Sequence, residues 1–159
     1  MIGLAFLVPN IKQEQTLADA EQIGDFPFVT AEKKCLTDNI YHEARGEGVI
    51  GWKAVAAVTI NRTRHYNFPD TICKVVYQKG QFSWTSRRKR LSVREKKLYS
   101  EIDKFVQVVY NEHMVKGKPF NHELPAWINR SLFYRVGFWK TANAEMLGKI
   151  GRHNFYGRL

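Results

Sequence analysis

Between about Gly51 and Arg62 the chain places Trp52, Val55, Ala56, Thr59 and Ile60 at the three- and four-residue steps of one helical face. The stripe is apolar and rich in small residues, so a helix here has to be buried against neighbours that approach closely. Other elements arrange themselves around that requirement. Upstream, Thr30 suits an N-cap, and Cys35, Leu36, Ile40 and Ala44 continue a helix that should end at Gly46 or Gly48. Downstream, Asn67-Phe68-Pro69-Asp70 reads as a turn, with Pro69 opening a short helix through Tyr77 that Gly80 terminates. Gln81 to Trp84 reads as a loop. Ser92-Val93-Arg94-Glu95 has the spacing of a capping box, and Leu98, Ile102, Phe105, Val106 and Val109 carry a long amphipathic helix that fades before Gly117 and Pro119. The pattern then changes: Leu132, Tyr134 and Val136 alternate, and Ile150 to Tyr156 is short and aromatic, which predicts two strands pairing as a small antiparallel sheet. The expected fold class is α+β and mainly helical.

With 159 residues, 44% of them hydrophobic, the chain has material for a single core. Residues 1–29 lack a sustained period and read as an arm, leaving 30–159 as one domain. The opening run from Ile2 to Val8 is apolar, but it has no basic leader, is too short to span a bilayer and stops at Pro9. Neither an intact signal peptide nor a transmembrane helix is therefore expected. A formal charge of +10 favours a polyanionic partner: nucleic acid, a lipopolysaccharide or phospholipid surface, or an acidic wall polymer. Arg87 to Arg90 reads as a solvated loop that steers the protein to such a surface. Cys35 and Cys73 fit neither a redox pair nor a zinc site; both read as buried thiols, with a disulfide between them left open.

The densest chemistry lies in Tyr41-His42-Glu43-Ala44-Arg45-Gly46-Glu47-Gly48. Glu43 follows Ile40 by three residues and Leu36 by seven, so it shares their inward face. Desolvation and the negative end of the helix dipole both favour its protonated form, which is how a general acid is made. The alternative is a structural ion pair with Arg45 or another base. Glu47, between two glycines, is the second candidate acid, or a loop residue that caps or pairs with Arg45. His42-Glu43 begins like a zinc-protease helix, but the residue four after His42 is Gly46 and the other histidines are scattered, so no metal or cofactor is expected. No serine stands in a nucleophile elbow. Tyr77, Phe82, Trp84, Trp127, Tyr134 and Trp139 fall outside strong helical stripes and are candidates for stacking on sugar rings or bases, or for the core.

Tyr41 through Glu47, Gly51, the stretch Ala54 to Val58, Asn61-Arg62, Phe68 to Ile72, Val75 to Tyr77, Gly80 to Ser83 and Ile150 to His153 together resemble the SleB-type cell wall hydrolases, which include spore cortex-lytic enzymes and phage lysins. The likeness covers about Lys33 to Tyr156. It implies a lysozyme-like, lytic-transglycosylase-like fold acting on peptidoglycan glycan strands between N-acetylmuramic acid and N-acetylglucosamine. It also implies Glu43 as the catalytic acid, leaving 1,6-anhydro ends. By the same resemblance Tyr77, Gln81, Phe82 and Ser83 line the saccharide groove, and Tyr134 and His153 approach it from the sheet.

The expectation is thus a monomeric, metal-independent wall-degrading enzyme, a phage endolysin by its basic composition, acting in the periplasm or outside the cell. Its basic surface would meet anionic outer-membrane or wall polymers. Within the same class, the alternatives are a hydrolytic muramidase using Glu47 as base and an amidase that frees the stem peptide. From another class, a basic nucleic-acid-binding module fits the charge, although no helix-turn-helix, RNA-recognition or zinc-finger signature accompanies it.

Overall fold

The computed structural model describes residues 27–86, 92–120, 124–137 and 143–158. The chain falls into two compact units, Met1–Thr30 and Ala31–Leu159. Only 27–30 of the first is described, as the opening turn of α1 (Pro27–Ala44). The second continues with α2 (Gly48–Thr63), the short α3 (Ile72–Val76) and α4 (Val93–Val109), which runs on as a π-helical segment, Tyr110–Val115. Two 3-10 turns (Ser83–Ser86 and Ala126–Arg130) and three strands, β1 (Phe133–Val136), β2 (Ala144–Ile150) and β3 (His153–Arg158), complete it. The chain is mainly helical with a small antiparallel sheet, an α+β arrangement. Among the described residues no helix is long and apolar enough to cross a membrane. The expectations placed on Ile2 to Val8, on Arg87 to Arg90 and on Trp139 fall outside the described residues.

Helix α2 is buried more completely than its stripe requires. Ala54, Val55, Ala56, Ala57, Val58 and Ile60 are all fully covered, so the helix is enclosed rather than one-sided. Its small side chains let neighbours come close, and its ends carry the polar ties. Trp52 donates from Nε1 to the Ala44 carbonyl (3.0 Å), satisfying an orphan acceptor at the end of α1. Asn61 donates to the carbonyls of Ile128 (2.7 Å) and Ser131 (3.0 Å), and Arg62 Nε donates to that of Leu132 (2.6 Å). These bonds hang the segment leading into β1 from the C-terminal turn of α2.

Several local expectations need correcting. Thr30 does not cap α1, which starts at Pro27, where proline's fixed φ suits a first turn. Pro69 does not open the next helix. Thr71 caps α3, its side chain accepting from Lys74 N, and the Glu32 carboxylate accepts from the backbone N–H of Ile72 (2.5 Å) and Cys73 (3.2 Å). Two free N–H groups at a helix start thus bind a carboxylate from α1, a distant partner that local spacing does not reveal. The residues after Gln81 include a 3-10 turn rather than a plain loop. The capping box holds, with Ser92 and Glu95 bonded reciprocally.

Cys35 and Cys73 are not free thiols: they form a disulfide with Cα atoms 5.2 Å apart, beside the Glu32 contact. The expected pair of strands is one short. β3 is central, in the order β1-β3-β2, with Tyr134 opposite Phe155 on one side and Ile150 opposite His153 on the other. β2 reads Ala-Glu-Met-Leu-Gly-Lys-Ile, a composition with little strand preference; the ladder to β3 makes it a strand.

The disulfide closes a 38-residue separation around α2. Its removal in a Cys35→Ala/Cys73→Ala double variant is expected to cost about 3–4 kcal/mol of unfolding free energy, the chain-entropy value for a loop of that size. Urea denaturation monitored by circular dichroism measures it.

Candidate active site

Glu43 occupies the last turn of α1, after Leu36 and Ile40, which are fully buried. Its own side chain is half-buried. Burial raises its pKa above the ordinary carboxylate value; the indole N–H of Trp84 and the charge of Arg62 act in the opposite sense without cancelling that rise. The alternative pairing with Arg45 is not present. The Arg45 guanidinium reaches Tyr41 Oη (3.3 Å) and lies 3.9 Å from Glu95.

Behind Glu43 lies an aromatic bed. Trp84, from the Ser83–Ser86 turn, stacks on His42 with centroids 4.3 Å apart and meets Tyr77 and Phe82 at 6.1 and 6.4 Å. Phe82 continues to Tyr134 (6.3 Å), and Tyr134 sits edge-on to His153 (5.3 Å). Tyr134, His153 and Phe155 share one face of the sheet because Tyr134 pairs with Phe155 in register. The structure therefore joins Tyr77, Phe82, Tyr134 and His153 of the expected site through successive ring contacts. Gln81 and Ser83 are exposed on the same loop and make no side-chain contact in this chain of rings.

Arg62 is almost fully buried, with its guanidinium 5.2, 5.5 and 5.7 Å from the rings of Phe68, Phe133 and Phe82. Burial lowers its pKa, and Tyr134 and Glu43 act to raise it, so it is the cation in electrical contact with the site. The Tyr134 hydroxyl is buried without a hydrogen-bond partner of regular geometry. Its pKa is pushed well up, first by burial and then by the Glu43 carboxylate, with Arg62 and the Asn39 amide acting less strongly downward. Arg62 and Asn39 were not singled out as site residues from sequence, whereas Trp84 was a stacking candidate and His42 was weighed only as a metal ligand. The Asn61-Arg62 pair closing an apolar helix is the one local signal, since a buried arginine needs a reason to be there.

Glu47 has a different environment. It accepts from the backbone N–H of Arg152 (3.1 Å) and from its Nε (2.5 Å), which holds its pKa below the ordinary value. A Cβ on Gly51 or on Gly151 would collide with the Glu47 side chain, and Gly151 also has φ +56°. Glu47 thus pairs not with Arg45 but with the turn between β2 and β3, 105 residues away in sequence. It latches that turn to the junction of α1 and α2. Among the described residues no three His, Cys, Asp or Glu side chains converge as a metal-ligand set.

An α+β domain presenting one half-buried acid over aromatic rings has the equipment of a carbohydrate-cleaving enzyme. The profile of a family described as Cell Wall Hydrolase matches residues 46–156, beginning three residues after Glu43, and the chain belongs to that SleB-type family. Two spore cortex-lytic enzymes of Bacillus cereus are each 38% identical to it over 48 residues, 30% of this chain and 18% of theirs. The match therefore spans about a fifth of the length of those relatives. No solved structure matches.

The pKa of Glu43 is higher folded than unfolded, so the fold is favoured by the protonated form. That contribution is present in full below the unfolded carboxylate value, near 4.3, and is lost as pH rises through the folded value. A Glu43→Gln variant should therefore be more stable than wild type at pH 7, with the difference shrinking as pH falls towards 4. Thermal unfolding across that range reads it.

Proposed function

We propose that this chain degrades peptidoglycan by cleaving the glycosidic bond between N-acetylmuramic acid and N-acetylglucosamine, as a lytic transglycosylase on a lysozyme-like scaffold, with Glu43 as its only acid/base group. The observation that carries the reading is the unequal environment of two neighbouring carboxylates. Burial holds Glu43 towards its neutral form, while Glu47 is ionised and occupied by Arg152. A protonated carboxyl beside an aromatic bed is a proton donor to a leaving glycosidic oxygen.

In the first step the Glu43 proton passes to the bridging oxygen as the bond to the anomeric carbon breaks. The charge left on Glu43 is eased by the Arg62 guanidinium and the Trp84 indole N–H, the two groups that lower its pKa. The muramic acid 6-hydroxyl then attacks the anomeric carbon and returns its proton to Glu43. The products are a 1,6-anhydro end and a free 4-hydroxyl, and the acid is regenerated without water. A second carboxylate is not required, in keeping with the commitment of Glu47 to the β2–β3 turn. Tyr77, Gln81, Phe82 and Ser83 would meet the sugars from one side, and Tyr134 and His153 from the sheet.

Two further features support work on a cell envelope. The Cys35–Cys73 disulfide suits an oxidising compartment such as the periplasm or the cell exterior. The +10 charge suits an anionic wall. Every residue given a role in this reading belongs to one chain, so a monomer is sufficient for the proposed chemistry.

Glu43→Gln is expected to cut clearance of wall suspensions by at least about a hundredfold with the circular dichroism spectrum unchanged. Wild-type rates should fall as pH rises through the elevated Glu43 pKa, because only the protonated form donates. Mass spectrometry of released muropeptides should find anhydromuramic ends; reducing ends would identify a hydrolase, and free stem peptides an amidase. Loss of activity in Glu47→Gln with full activity in Glu43→Gln would exchange the two roles.

A further inference from the structure

A recess of about 440 Å³ opens where the C-terminal end of α2, the Ala126–Arg130 turn and the end of β3 meet. Arg64, Arg130 and Arg158 line it, with His65, Asn129 and Leu132. Arg158 lies five residues beyond His153 on β3, about 17 Å along an extended strand, and on its opposite face, so the recess is separate from the Glu43 site. Its polar framework is already satisfied. Asn129 Oδ1 accepts from Phe120 N (2.9 Å), and Arg64 donates to the His113 carbonyl. Among the described residues Arg130 lies 4.0 Å from Glu145, both partners being substantially exposed, and Glu112 is paired with Lys116 and Lys118 beside Gly117. Three arginines facing one concavity, only one of them paired with a carboxylate among the described residues, concentrate positive charge there.

We propose that this recess holds successive phosphodiester groups of an anionic wall polymer and anchors the enzyme to the envelope while Glu43 works elsewhere on the molecule. The proposal rests on the wall-degrading reading, which puts the protein in contact with such polymers. Arginine forks match the paired oxygens of a phosphate, and three of them suit a chain bearing one charge per repeat. The shape selects among phosphate polymers. A duplex is read by elements that protrude into its grooves, whereas a recess admits a thin, flexible chain. Single-stranded nucleic acid is gripped through stacked bases, yet among the described residues the walls carry no Phe, Tyr or Trp.

The test uses the full chain carrying Glu43→Gln, so that binding is measured without turnover. Isothermal titration with purified glycerol-phosphate polymer should give at least about tenfold weaker binding for Arg130→Ala/Arg158→Ala. The corresponding Arg→Lys pair, which keeps charge but loses the fork, should fall in between. Lys96→Ala/Lys97→Ala removes the same charge from the exposed start of α4 and should bind within about twofold of its parent. With Glu43 restored, the Arg130→Ala/Arg158→Ala pair should clear intact walls more slowly than wild type, but walls stripped of phosphate polymer at the same rate. Equal polymer binding by the parent and the double-alanine variant overturns the proposal. So does a recess-dependent preference for duplex DNA or for phosphatidylglycerol vesicles over the polymer. Because the titration needs no catalysis, a failure of the lytic reading would appear in the clearance assay alone and leave the binding result standing.

Discussion

The enclosure of α2 is the constraint on which the rest of the domain depends. A helix whose central turns are covered all round must have partners on every side, and its small side chains set how near they come. The polar residues at its C-terminal end then decide what those partners are. Asn61 and Arg62 place their side chains on the carbonyls of Ile128, Ser131 and Leu132, and so fix where the chain enters β1. Because Tyr134 lies two residues past Leu132, the same bonds set the position of the tyrosine whose hydroxyl feels the Glu43 charge. Fold and site are thus joined through one turn of one helix. A buried arginine that anchors a backbone carbonyl through Nε keeps the rest of its guanidinium for electrostatics.

The two glutamates at the α1–α2 junction show how environment assigns roles to identical side chains. They lie four residues apart, one inside the final turn and one beyond it. Glu43 keeps its helical direction and faces apolar surroundings, so burial dominates its ionisation. Glu47 has left the helix and meets the N–H and guanidinium of Arg152 in a gap that Gly51 and Gly151 keep open. The latch also has a purpose for the site, since it fixes the turn just before His153, one of the rings facing Tyr134. An ionised Glu47 therefore ties the β2–β3 turn to the α1–α2 junction.

Much of this was readable beforehand wherever the signal was local. The α2 stripe, the Ser92–Glu95 capping box and the alternation around Tyr134 are short-range patterns, and each corresponds to an element in the structure. The inward direction of Glu43 followed from its spacing after Leu36 and Ile40. What escaped reading depends on pairing across sequence distance. Glu32 reaches 40 residues to cap α3, Cys35 bonds Cys73, Glu47 meets Arg152, and β2 is a strand only because β3 lies beside it. Nothing in the neighbourhood of any of these residues encodes its partner. Trp84 and Arg62 belong to the same category, for each reaches Glu43 only once separate elements have packed.

The polar groups left without regular partners argue for where the fold has been shaped by chemistry rather than by stability. Buried donors and acceptors are nearly always satisfied, because an orphan costs roughly 1–3 kcal/mol. Here Trp84 Nε1, Tyr134 Oη and Asn39 Oδ1 are buried without a protein partner of regular hydrogen-bond geometry among the described residues. The first acts on Glu43, the second is raised by the Glu43 charge, and the third belongs to the amide that acts on Tyr134. The fourth, Gln78 Oε1, lies in the segment between Tyr77 and Phe82. A domain optimised for stability alone would fill such a cluster with apolar side chains, since half-satisfied polar networks are worse than hydrophobic packing. Under the proposed lytic reading, Trp84 Nε1, Tyr134 Oη and the Asn39 amide around the raised Glu43 are preorganised dipoles available to a bound sugar.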